Sequence, residues 1–172
     1  MDKKGDIWIS AVIYIALGVI ILSLVLAVGI PTIQKMKDNA VAKQTKELML
    51  TIDNNIRTVY NEGPGSQRQV KVKIGSGTFD IDQVNEIITW QTRTKAILSE
   101  PDVDITEGNL IIRTQTSVQK GEYDLILTLE YPEIDITYDG IGSIKGTSLL
   151  SIINNGPNNE VPQKTNIAIV RR

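Results

Sequence analysis

Between Ile7 and Ile30 the chain reads IWISAVIYIALGVIILSLVLAVGI, an apolar run of 24 residues whose only polar groups are Ser10, Ser23 and the Tyr14 hydroxyl. No charged residue occurs from Ile7 to Gln34. As a helix rising 1.5 Å per residue the run reaches about 36 Å, enough to cross a hydrocarbon layer about 30 Å thick. The apolar core of a secretory signal runs about 7–15 residues. This one is too long for that, although Ala27-Val28-Gly29 meets the small-x-small cleavage rule. A buried helix of a soluble domain would keep a polar face, and none exists here. Trp8 and Tyr14 lie near the start, where amphipathic rings favour a membrane interface. Lys3 and Lys4 precede the run and Lys35 and Lys37 follow it, so charge alone does not orient it. The bulk of the polar chain is C-terminal and rich in Asn and Thr, which places the N-terminus inside and the remainder outside.

What surrounds this run excludes several function classes. The chain has 172 residues, a net charge of −2 and no basic cluster, which argues against nucleic acid as a partner. It has no cysteine and no histidine, which removes disulfides, thiolate metal sites, the commonest general base and the commonest metal ligand. An enzyme is not expected, and neither is a cofactor.

Gly29-Ile30-Pro31 predicts a kink or a melted turn, because proline removes one donor and clashes one turn back. Beyond it the pattern is helical again. Val41, Leu48, Ile52, Ile56 and Val59 draw one apolar stripe, with Lys37, Lys43, Lys46 and Asp53 largely off it. Gly63-Pro64-Gly65 supplies the stop. From Gln69 the period becomes two. Val70, Val72 and Ile74 alternate with lysines, Gly75-Ser76-Gly77 reads as a turn, and Tyr123, Leu125, Leu127, Leu129 and Tyr131 share one strand face. About eight short strands are expected. The fold class is therefore α+β, a long hydrophobic then amphipathic N-terminal helix followed by an antiparallel β-sandwich over residues 69–172.

Lys4-Gly5-Asp6-Ile7 stands directly at the edge of the apolar run. With the amphipathic continuation and the C-terminal β-domain, it resembles the type IV pilin-like proteins, most closely the archaeal branch of pilins and archaellins. The resemblance is specific over residues 3–30 and architectural from 31 to 172. It implies a class III signal peptide of residues 1–5, with Lys3 and Lys4 as its basic flank, Gly5 as the last residue removed and Asp6 as the new first residue. Residues 6–30 become the transmembrane and later filament-core helix, and 31–62 its continuation. The partners implied are a prepilin peptidase, the membrane, identical subunits, and an assembly ATPase with its platform protein in trans. The precursor would sit in the cytoplasmic membrane and the mature chain in a cell-surface filament. Bacterial members carry a glutamate five residues into the mature chain, where this sequence has Ser10. Their C-terminal disulfide is missing too, which favours the archaeal reading.

Loss of Lys3 and Lys4 would leave a helix whose covering must come from neighbouring copies. Ser23 and Ala27 form a small-xxx-small pair, and Gly18 offers another place for close approach. The plainer reading of all three is ordinary membrane-helix composition. The alternative function is an unprocessed single-pass surface protein displaying its β-domain for binding.

Other motifs carry less. Glu100-Pro101-Asp102-Val103-Asp104-Ile105-Thr106-Glu107 holds four carboxylates that could take a hard cation, but its glycine and Arg113 fall at the wrong positions for an EF-hand, so a solvated acidic loop is expected. Gly140 to Gly146 matches neither a dinucleotide loop nor a P-loop. Ser66 and Ser143 lack the flanking glycines of a nucleophile elbow. Trp90 with Gln91 reads as either a ligand face or, more plainly, a buried tryptophan.

Overall fold

A computed structural model describes residues 3–119, 121–158 and 163–172, without the side chains of residues 3–7, 9 and 10. The elements are α1 (Lys3–Glu62), β1 (Gln67–Asp82), β2 (Ile87–Thr94), β3 (Asp104–Glu107), β4 (Leu110–Thr116), β5 (Tyr123–Glu130), β6 (Ile134–Asp139), β7 (Ile144–Pro157) and β8 (Thr165–Arg171). The chain divides into two units, Met1–Lys37 and Asp38–Arg172.

The first unit is helical wherever it is described. Pro31 lies inside α1, and no turn melts around it. Proline costs the ladder one bond and one local clash, while an apolar stretch offers a freed backbone no better partner than the helix itself. The two hydroxyls near it act in the same sense. Ser23 Oγ donates to the Val19 carbonyl at 2.8 Å, and Thr32 Oγ1 donates to the Val28 carbonyl at 2.9 Å. Both are satisfied within their own helix.

In the second unit the eight strands bond into one sheet of order β3-β4-β5-β2-β1-β7-β8-β6, where a sandwich of two sheets was expected. β6 and β8 pair parallel and the other neighbours antiparallel. Two of the expected strands are one: β1 runs straight through Gly75-Ser76-Gly77, which is a bulge and not a turn. β1 pairs with β7 up to Ile74 and gains β2 as a second neighbour from Thr78, with Phe79 opposite both Trp90 of β2 and Ile144 of β7. Gly77 has φ +81°, and a Cβ on it would stand 2.4 Å from the Gln91 carbonyl, so only glycine fits. β3 was not expected as a strand; it arises inside the acidic segment by pairing with β4.

Strands such as β2, β5 and β8 bury alternate residues, as the period of two requires. Val70 and Val72 of β1, Ile88 and Trp90 of β2, Leu125, Leu127 and Leu129 of β5, and Ile167 and Ile169 of β8 join one core with Ala42, Met49, Ile52, Ile56 and Val59 of α1. At about 25 cal/mol per Å² of apolar surface, each of these large side chains contributes roughly 1.5–3 kcal/mol relative to exposure. The helix end is held by the sheet. Gly63 takes φ +87° as a left-handed stop, Asn154 Nδ2 donates to the Val59 carbonyl at 3.0 Å, and Ser66 Oγ donates to the Val59 and Gly63 carbonyls at 2.7 Å.

Candidate assembly surface and polar cleft

In the first unit the apolar run covers itself with nothing. The large side chains described from Trp8 to Ile30 are each between 49% and 77% exposed, on every side of the helix. A continuous apolar surface of this size is not left in water. The helix is long and apolar enough to cross a membrane, with a mean hydropathy of 2.9 in its most apolar stretch.

The expected processing residues Lys3, Lys4, Gly5 and Asp6 lie in the first two turns of α1, while Met1 and Asp2 lie outside the described residues. Gly18, Ser23 and Ala27 are all exposed. At 100° per residue Ser23 and Ala27 lie within about 40° of each other, but Gly18 is about 140° and 180° away from them. They make two faces, so close approach at both would need two different neighbours. A Cβ at Gly18 would meet nothing within 4 Å.

In the second unit the helical stripe carries a carboxylate that its period does not predict. Asp53, placed off the stripe by sequence, is 7% exposed. Its Oδ1 accepts from the Tyr131 hydroxyl at 3.0 Å and from Asn109 Nδ2 at 3.3 Å, and Arg57 Nε reaches Oδ1 and Oδ2 at 3.1 and 2.9 Å. A charge can stay buried when its lone pairs are taken by donors in this way. Burial, then the adjacent Asp53 charge, pushes the Tyr131 phenol well above its ordinary range. Above this cluster opens a cleft of about 300 Å³ lined by Arg57, Tyr60, Asn109, Glu130, Pro132 and Glu133.

The other sequence candidates separate. Trp90 is fully buried and donates Nε1 to the Ser76 carbonyl at 3.0 Å, which removes it from any ligand face. In the acidic segment Asp104 pairs with Arg113 and Glu107 with Lys46 at 2.6 Å. Among the described residues no three carboxylates gather at one point. Ser66 is a helix stop, its single hydroxyl hydrogen shared between the Val59 and Gly63 carbonyls. The Asp53, Tyr131 and Asn109 cluster left no sequence signal beyond an acid next to Ile52.

Comparison of the chain with models of protein families, with curated proteins and with solved structures found no match, so its reading rests on its own residues and geometry.

Proposed function

We propose that this chain is a structural subunit of a type IV pilus-like surface filament, processed between Gly5 and Asp6 and assembled through its apolar helix. The observation that carries the proposal is the helix surface from Val12 to Ile30, apolar and exposed on all sides, directly behind Lys3-Lys4-Gly5-Asp6. In lipid that surface is solvated by acyl chains. Outside lipid it needs other apolar surface, and the same segment of further copies has the matching length and chemistry. At about 25 cal/mol per Å², burying ~1,500 Å² releases tens of kcal/mol gross, before ordering costs. Ser23 and Thr32 bond within their own helix, so neither hydroxyl opposes such burial. Extraction from the membrane requires an ATP-driven assembly platform acting in trans, and the cut requires a prepilin peptidase.

The test is the N-terminal residue and intact mass of the protein isolated from its native membrane or surface, beside a Gly5→Leu chain. A wild-type chain beginning at Asp6, with Gly5→Leu held at its full mass, is the expected result. A start at Met1 or Asp2 overturns the processed-subunit reading and leaves Lys3 and Lys4 as a permanent cytoplasmic flank. A start at Ile30 would mean an ordinary secretory signal.

One observation favours the second reading, a single-pass protein displaying its β-domain for binding. The cleft over Asp53 and Tyr131 presents Tyr60, Asn109, Glu130 and Glu133 around one opening, a mixture of ring and polar groups that suits a small polar ligand. A monodisperse, unprocessed chain in detergent would favour it.

A further inference from the structure

Lys71 and Lys73 alternate along β1 with the buried Val70, Val72 and Ile74, so both point away from the core. Lys71 stands across from the half-buried Leu149 of β7, and Lys73 across from Thr147. Lys145 follows the buried Ile144 on β7 and is exposed on the same face. Among the described residues none of these three lysines forms an ion pair. Alternate positions on a strand are about 7 Å apart, so this sheet face holds unrelieved like charge around an apolar centre at Leu149.

The opposite chemistry lies at the far edge of the same sheet. Glu100 and Asp102 are exposed and form no ion pair among the described residues, while the neighbouring Asp104 pairs with Arg113, whose charge also reaches Asp102. Beside them Val103 is 47% and Ile105 39% exposed. The segment is held firmly. Asp102 N donates to the Thr114 carbonyl at 2.7 Å, Val103 N to the Glu100 carbonyl at 3.1 Å, and Ser99 Oγ to Thr114 Oγ1 at 2.9 Å. It is a preorganised acidic and apolar ridge, and docking would cost it little ordering entropy.

We infer that the lysine face of one copy, centred on Leu149, docks the Glu100–Ile105 ridge of a second copy of this chain. Three strands, β4, β5 and β2, separate β3 from β1 in the sheet, so the two surfaces belong to different flanks of the unit. Each is complementary to the other and not to itself. Such a contact is heterologous, and repeated it grows into an open array or a ring and not a closed two-fold dimer. The inference rests on the self-assembly reading above and names the contact that would join the β-units outside the helical core.

The test uses the full chain in membrane vesicles, as an equal mixture of isotopically light and heavy protein treated with a water-soluble carbodiimide. The reagent activates a carboxylate, a lysine amine displaces the urea, and one amide forms where the groups touch. Mixed-isotope peptides joining Lys71, Lys73 or Lys145 to Glu100 or Asp102 are the expected product. They should fall to background in a Lys71→Glu/Lys73→Glu/Lys145→Glu chain alone and in a Glu100→Lys/Asp102→Lys chain alone. Mixing the two reversed chains should restore links between them, since each then supplies the charge the other needs. Mixed-isotope links that persist in either reversed chain alone, or links confined to single copies, overturn the docking. Filaments isolated from the native cell surface and treated in the same way, yet free of these links, overturn the docking and leave helix-driven assembly standing. Absence of mixed-isotope links in the vesicles overturns the docking, while the native N-terminal residue tests the subunit reading separately.

Discussion

The Tyr131 hydroxyl donates to Asp53 Oδ1 over 3.0 Å across 78 residues of chain, and joins the helix to the loop after β5 in the interior of the second unit. The bond lets Asp53 remain a buried carboxylate. Tyr131→Phe removes one of its donors, and Asp53→Ala strands the phenol and leaves Asn109 with its bond to the Glu130 carbonyl alone. We expect Tyr131→Phe to cost about 1–3 kcal/mol and Asp53→Ala at least as much. The double variant should fall short of the sum of the two, because both act on one bond. Denaturation of the full chain in detergent measures all three.

Alkali should expose the same bond differently. The folded state holds the Tyr131 proton above the phenol's ordinary value of 10.0, whereas the unfolded state releases it near that value. A group whose folded pKa is raised contributes stability that is full below the unfolded pKa and is lost as pH rises. Above about pH 10 this one residue should lower stability by about 1.4 kcal/mol per pH unit. Comparing the alkaline slope of the wild type with that of Tyr131→Phe isolates it, and a tyrosinate absorbance that rises in full before unfolding would disprove it.

In acid the relevant groups are Asp104 and Asp82. The bond from Arg113 holds the Asp104 carboxyl below its ordinary range, and bonds from the Asn85 side chain and backbone do the same for Asp82. Depressed folded values contribute stability present above the unfolded value of 3.8 and lost as pH falls through and below it. Both residues are on the surface, so the effect is small and weakened by salt. Asp82→Asn should flatten the decline below pH 3.8 and leave stability at neutral pH nearly unchanged, as followed by acid titration of the circular dichroism signal.

Gly77→Ala tests the bulge. The residue has positive φ, and its Cβ would press on the Gln91 carbonyl and on Thr92 Cβ at 2.8 Å. Strain and clash together should cost about 2–3 kcal/mol. Gly142→Ala, also at positive φ but with nothing within 4 Å, should cost only about 1 kcal/mol. Melting temperatures of the two variants give the comparison.

A charge in the apolar helix should separate the two units. Leu22 is 59% exposed and takes no part in the β-unit core. Leu22→Lys should make membrane insertion about 2.5–3.5 kcal/mol less favourable, with the denaturation midpoint of the β-unit unchanged. Vesicle flotation reads the first effect and circular dichroism the second.

Much of the fold was legible because its signals are local. The helix stop at Gly63-Pro64-Gly65 follows from backbone preference, and the strand faces of β1 and β5 follow from alternation. The signals that misled were local too. Gly75-Ser76-Gly77 has turn composition, yet its glycines serve a bulge after which β1 pairs with β2 as well as β7. β3 exists because β4 lies beside it, and the bare sequence of the acidic segment holds no trace of that pairing.

Sequence by itself determined the apolar run, the basic tip before it, the stripe on the second half of α1 and the β-rich character of the remainder, since each is a pattern between near neighbours in the chain. Tertiary structure alone decided that the strands form one sheet, that Asp53 lies inside, and that Lys71, Lys73 and Lys145 gather on a face away from Glu100 and Asp102. Those outcomes depend on which distant residues meet. A buried carboxylate is tolerated when a tyrosine and an asparagine 78 and 56 residues away supply donors, and periodicity carries no information about partners at such separations.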